Sequence, residues 1–330
     1  MHVLSATLFK YLPTISVDAV ADHVVGEIFC ALLALLLTAL AVLYAFGRNF
    51  SARLAFFGID RRAPTASIFV SNILVRPRGT QALEKLSQGY SGPALSKIEY
   101  EAALEIQKLL TARPVVILPE PLQDALRRLR QREVNVAIRL SPATGIFLSA
   151  DAEQPPAPPL SGYLTDTCNI IIGSQVYNSL AKWYLEQYLP DPQNHFDRWF
   201  AIAKNDQNER IVHYVDRAEN SSDELLRGAL EAPGDGVDRL TEPAFIMRFR
   251  EAGKTIFLCA GIPGWSTGTC VAYLAKNWKA LHKTFGCCDF GIAIRCQLPT
   301  NKDNFADARI PANHVEHWLK DDERKKHRRR

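Results

Sequence analysis

Between residues 255 and 278 the chain reads TIFLCAGIPGWSTGTCVAYLAKNW: an apolar run, a turn rich in glycine, then a helical pattern. Strand, glycine-rich turn and helix in that order set unpaired helix N-terminal amides where they can meet an anion. Gly261, Gly264 and Gly268 let the backbone approach a ligand, and Ser266, Thr267 and Thr269 bring hydroxyls to the same place. The chemistry this suggests is the binding of a phosphate. The spacing matches neither GxxxxGK[ST] nor GxGxxG, and any strand-to-helix connection uses glycine and a hydroxyl cap merely to turn. A second turn of related form, NIIIGSQVYNS at residues 169–179, ends an apolar run at Gly173 and Ser174 and puts Asn178 on the first helical turn. With their strands parallel, the two turns would lie at one edge of a sheet and line one crevice.

Carboxylates supply the candidates for a reaction. Ser71 and Asn72 interrupt an apolar strand, and a stretch holding Tyr90, Ser91 and Gly92 leads into a helix with Glu99 and Glu101. Glu99 or Asp289 could act on an N-glycosidic or phosphate bond; glutamates at a helix start also complement its dipole and stay solvated. Metal chemistry is not expected, since His314 and His317 lie three apart with no third ligand indicated. Tyr177 and Lys182 miss the YxxxK spacing, and HExxH does not occur. The seven cysteines (30, 168, 259, 270, 287, 288 and 296) show no CxxC pair and read as reduced thiols, Cys259 and Cys296 within apolar runs.

The elements that must position these residues follow from periodicity. Residues 67–75 read as a strand, 96–110 as a helix with Ser96 and Glu99 in capping-box spacing, 114–118 as a strand, 121–132 as a basic amphipathic helix and 134–140 as a strand. Four prolines in 151–161 make a connector. A second half has strands at 168–172, 199–202, 210–215, 245–250, 255–260 and 290–296. Helices are expected at 176–188 and 269–285, a polar loop or short helix at 220–236, and a loop at 261–268. The pattern predicts an α/β fold, a Rossmann-like three-layer sandwich with a mostly parallel sheet.

The turns at 169–179 and 261–269, in a strand-to-helix frame in the second half of the chain, resemble Rossmann-like domains of the SLOG and TIR kinds, which sense or cleave nucleotides in bacterial immune and signalling systems. SLOG domains carry a GGxGT-type turn followed by acids; AGIPGWSTGT keeps the Gly and Thr ending without them. The resemblance therefore implies phosphate binding more than hydrolysis, with Glu99 as the counterpart of the TIR glutamate.

Residues 28–46, IFCALLALLLTALAVLYAF, hold no charge and no proline, and such a helix spans about 28 Å, enough to cross a bilayer. Asp18, Asp22 and Glu27 precede it and Arg48, Arg53, Arg61 and Arg62 follow. Basic residues mark the cytoplasmic flank, so the expectation is a single-pass protein of the inner (plasma) membrane with its N-terminus outside. The organisation then reads 1–27 extracytoplasmic, 28–46 transmembrane, 47–65 juxtamembrane, 66–150 first α/β half, 151–164 connector, 165–300 second half and 301–330 a basic tail. A net charge of +4, carried largely by the ERKKHRRR terminus, gives no case for nucleic-acid binding. The apolar helix could self-associate into a homo-oligomer, without a GxxxG motif. Three functions fit: a tethered sensor of a nucleotide-derived ligand, a nucleotide- or NAD-cleaving hydrolase, and a non-catalytic scaffold.

Overall fold

The computed structural model describes residues 17–75, 92–94, 96–112, 133–142, 144–146, 163–175, 177–194, 196–204, 210–217, 221–227, 229–231, 239–262, 264–299 and 315–319. The chain divides into two compact units, Met1–Ser51 and Ala52–Arg330. The described part of the first unit is one helix, α1, which runs Val17–Phe57 and so ends within the second unit.

The expected transmembrane helix is corrected here: among the described residues, no helix is long and apolar enough to cross a membrane. The run is the middle of a 41-residue helix, with no boundary of its own at residue 28 or 46.

The second unit is built on an eight-stranded sheet in the order β14-β13-β11-β12-β6-β1-β4, with β10 paired to β11. The strands are β1 Thr65–Val70, β4 Asn135–Leu140, β6 Cys168–Ile172, β10 Ala229–Glu231, β11 Arg239–Glu251, β12 Lys254–Gly261, β13 Phe290–Pro299 and β14 Val315–Leu319. β4, β1, β6 and β12 pair in parallel, whereas β11, β13 and β14 pair antiparallel to their neighbours. All but β11 and β14 therefore run the same way, as expected of a mostly parallel sheet. β6 is buried at every residue, and β12 at every residue but its first. A mostly apolar run suits a parallel strand covered on both faces, and the one polar residue within β6, Asn169, donates to the Asp166 carbonyl at 2.8 Å.

One face carries α2, Lys97–Thr111, and α4, Gly264–Phe285. The end of α1 joins them: Phe56 lies 5.6 Å from Phe257, 6.0 Å from Phe290 and 6.4 Å from Trp278, centroid to centroid. Burying each such ring contributes on the order of 2 kcal/mol. On the other face lies α3, Ser179–Trp183, continued by a π-helical turn at Tyr184–Tyr188. Beside it stands the antiparallel sheet of β7, Arg198–Lys204, β8, Arg210–Asp216, and β9, Ser221–Arg227. Ile171, Leu258, Phe245, Tyr184, Phe200 and Val212 meet there in one apolar cluster. The sandwich thus has three layers, one of them part helix and part sheet. A further small sheet joins β2, Ile73–Val75, β3, Gly92–Ala94, and β5, Thr144–Ile146.

Four expectations shift. The strand expected at 67–75 is two strands in different sheets, parted at Ser71 and Asn72. The stretch 220–236, read as loop or helix, contains β9 and β10, because pairing with β8 and β11 outweighs its polar composition. α4 starts at Gly264, five residues before the expected Thr269, so most of the expected loop is helix. Within the expected tail, β14 closes the sheet edge against β13. The strand at 114–118, the helix at 121–132, the connector at 151–161 and His314 lie outside the described residues.

Candidate functional site

In chain order the parallel strands are β1, β4, β6 and β12, yet in the sheet β1 lies between β4 and β6. The chain therefore reverses its direction of travel across the sheet at the β1–β6 pair. Ligands of open α/β sheets bind outside the C-terminal ends of the strands at such a reversal.

A buried polar cluster occupies this place. Ser71 follows β1, Ser141 follows β4, and Gly173 and Ser174 follow β6; the Ser141 amide donates to the Val70 carbonyl at 2.8 Å and the Gly173 amide to the Cys259 carbonyl at 3.0 Å. Ser96 caps α2 by accepting from the Glu99 amide. The Glu99 side chain turns inward, where Oε2 accepts from the Ser71 amide at 2.9 Å and the residue is only 4% exposed. Burial raises the Glu99 carboxyl above the ordinary glutamate range, and the Ser71 hydroxyl and amide offset part of that rise.

Gly173 fits against this carboxylate because it has no side chain. Its φ is +126°, and a Cβ there would stand 2.5 Å from Ser71 Oγ and 3.0 Å from Glu99 Oε1. Such a φ is open to glycine and strained for other residues. Ser141 Oγ, in a residue 1% exposed, has no hydrogen-bond partner among the described residues, nor does Gln175 Oε1, whose amide nitrogen donates to the Ile202 carbonyl at 2.8 Å. A buried hydroxyl without a partner costs about 1–3 kcal/mol, which a ligand able to bond it would recover.

The other expected residues divide clearly. Asn178 is a structural cap: its Oδ1 accepts from the Leu180 and Ala181 amides at 3.0 and 3.2 Å, and its Nδ2 donates to the Ile172 carbonyl at 2.9 Å. Gly261 ends β12, beside β6 and at the same sheet edge as Gly173, and Gly264 opens α4. Inside the first turns of α4, Ser266 donates to the Pro243 carbonyl at 3.4 Å, Thr267 to the Gly261 carbonyl at 3.3 Å and Thr269 to the Trp265 carbonyl at 3.0 Å. The hydroxyls are spent on the backbone. Gly268 meets α2, since a Cβ there would lie 2.7 Å from Ile98 Cγ2. The two helices consequently start close together over one sheet edge, and α4 has no acidic residue in its first turn.

Asp289 lies elsewhere. It precedes β13, whose Phe290 pairs with Arg248, and Arg248 pairs in turn with Phe257 near the start of β12, toward the opposite edge from Gly261. There it faces Arg248 at 3.7 Å and Arg250 at 3.6 Å. Glu99 and Asp289 do not share a site. Among the described residues no group of three or more His, Cys, Asp or Glu is placed to hold a metal. Sequence reasoning passed over Ser141; the available signal was a hydroxyl directly after an apolar strand, followed by Pro142.

No family model, curated protein or solved structure matches this chain. What fold and site define is a class: an α/β unit of doubly wound type with a buried acidic and hydroxylic cluster at its strand-order reversal.

Proposed function

We propose that the Ala52–Arg330 unit is a binding module for a nucleotide or a related phosphate-bearing metabolite, held at the C-terminal edge of β4, β1, β6 and β12. The observation that carries this reading is the coincidence of the β1–β6 reversal with the cluster of Glu99, Ser71, Ser141 and Gly173. Helix N-termini favour an anion, and α2 and α4 begin side by side at this edge. Glu99, Ser141 and Gln175 offer acceptors, suited to the hydroxyls of a sugar or to an amine.

A second reading, cleavage of such a ligand, draws on one observation: burial holds Glu99 toward its protonated form, which suits a general acid.

The test is thermal unfolding of the full chain with ATP, NAD, ADP-ribose or a cyclic nucleotide, and inorganic phosphate as comparator. A ligand that binds only the folded state at about 100 times its Kd adds roughly 2.7 kcal/mol. Stabilisation should fall in Ser141→Ala and Glu99→Gln, with the hit recovered intact for a binder and cleaved for an enzyme. No shift with any compound, or a shift unaltered in both variants, overturns the proposal.

A further inference from the structure

Cys287 and Cys288 occupy the turn between α4 and β13, far from the cluster around Glu99. Gly286, at φ 63°, ends α4; its amide donates to the His282 carbonyl at 2.8 Å, and the Cys288 amide donates to the Phe285 carbonyl at 3.1 Å. The turn is gripped from below by Arg248 of β11, which is 2% exposed. Its Nη1 donates to the carbonyls of Cys287 at 2.6 Å and Cys288 at 2.8 Å, and its Nε donates to the carbonyl of Phe56 at 3.0 Å. One buried guanidinium thus fastens the two cysteines and the last turn of α1 to the sheet. The Cys287 thiol is exposed and donates to the Ala55 carbonyl at 3.4 Å, while Cys288 is half-buried beside it.

We propose that Cys287 and Cys288 form a peroxide-reactive vicinal dithiol, a modification site whose closure to a disulfide loosens the hold of Arg248 on this turn. Three features single it out: an exposed thiol, a second thiol in the next residue, and a buried guanidinium that donates to the backbone carbonyls of both. Oxidation of a thiol requires that the oxidant reach it, and Cys287 is exposed. In the first step the Cys287 thiolate attacks one oxygen of hydrogen peroxide. An S–O bond forms, the O–O bond breaks, and hydroxide leaves to take a proton as water. In the second, the Cys288 sulfur displaces the sulfenic oxygen: an S–S bond forms, the S–O bond breaks and a second water leaves. Two thiols are oxidised by two electrons and one peroxide is reduced. An added dithiol reverses the change.

Closure must alter the grip. Neighbouring Cα atoms are about 3.8 Å apart across a trans peptide, below the roughly 4.4–6.8 Å that disulfides span. The peptide fixes that spacing, so drawing the two sulfurs together strains the torsions of the shared peptide, which carries the Cys287 carbonyl that Arg248 holds. The oxidised chain keeps a buried guanidinium with fewer acceptors, a costly state.

The experiment treats the full chain with hydrogen peroxide and follows peptide masses, with Cys30 as internal comparator. Cys30 is also exposed, and the next cysteine along the chain is Cys168. The peptide holding 287 and 288 should lose about 2 Da before Cys30 gains oxygen, and should recover with dithiothreitol. The loss should vanish in Cys287→Ser and in Cys288→Ser, the latter showing instead a dimedone adduct on Cys287. The Tm of the oxidised chain should drop by a few degrees. Oxidation of Cys287 no faster than Cys30, stable oxygen addition without mass loss in the native chain, or a disulfide between chains would overturn the proposal.

Discussion

Replacing Gly268 by alanine separates two explanations of the same glycine by the sign of one number. Alanine within a helix is favoured over glycine by about 1 kcal/mol, so a glycine kept only to let a ligand near the backbone should give a more stable protein when replaced. The structure predicts the reverse. A Cβ at 268 would stand 2.7 Å from Ile98 Cγ2, about 1 Å inside ordinary carbon contact. That methyl is borne directly on the Ile98 Cβ, and a β-branched side chain in a helix has one strongly preferred rotamer, so relief requires α2 and α4 to move apart. Overpacking of this kind costs roughly 1–3 kcal/mol, leaving a net loss of about 1 kcal/mol after the helix-propensity gain. Urea unfolding of Gly268→Ala, Ile98→Ala and the double variant measures it. With the Ile98 methyl gone, the alanine should become neutral or stabilising, a coupling of about 1 kcal/mol or more. Stabilisation by about 1 kcal/mol in the parent background, with no coupling to Ile98, would refute the packing argument.

Other perturbations follow from the same contacts. Asn178→Ala removes the cap of α3 and its bond to the Ile172 carbonyl; urea unfolding should show a loss of about 2 kcal/mol. Arg53 donates to the carbonyls of Leu109 and Ala112 at the C-terminus of α2, so Arg53→Met should cost about 1–3 kcal/mol by the same assay. Burial lifts the Glu242 carboxyl from its ordinary value near 4.5 to about 7. The folded state then holds that proton more tightly than the unfolded one, and the stability this contributes at low pH is lost as pH rises through about 7. Glu242→Gln, unable to ionise, should melt above the parent at pH 8 and level with it at pH 4.5.

Legibility followed the length scale of the signal. β6 was readable to the residue because Cys168 and three successive isoleucines, broken only by Asn169 and bounded by polar neighbours, have few alternatives to a central strand. α2 announced itself through Ser96 and Glu99, although only half of the capping box forms: Ser96 accepts the Glu99 amide while the Glu99 carboxylate turns to Ser71. That departure is tertiary. Nothing local distinguishes a glutamate that reaches back to its own cap from one drawn under a neighbouring strand. β9 and β14 escaped notice for a related reason, since a strand supported by pairing at a sheet edge can carry polar residues that composition assigns to loop or tail.

The glycine-rich segment shows where local reading meets its limit. Residues 261–268 read as a loop whose hydroxyls could meet a ligand, whereas the helix begins at Gly264 and each hydroxyl is spent on a backbone carbonyl. Thr269 bonds back to Trp265, Thr267 to Gly261 and Ser266 to Pro243 on β11. A serine or threonine near a helix start can serve its own backbone or a ligand, and its own backbone is always present. The more telling signal for a site is therefore a buried hydroxyl that its surroundings leave without a partner among the described residues. Ser141 has that property at the strand-order reversal, and it becomes visible only once β4, β1 and β6 are laid side by side.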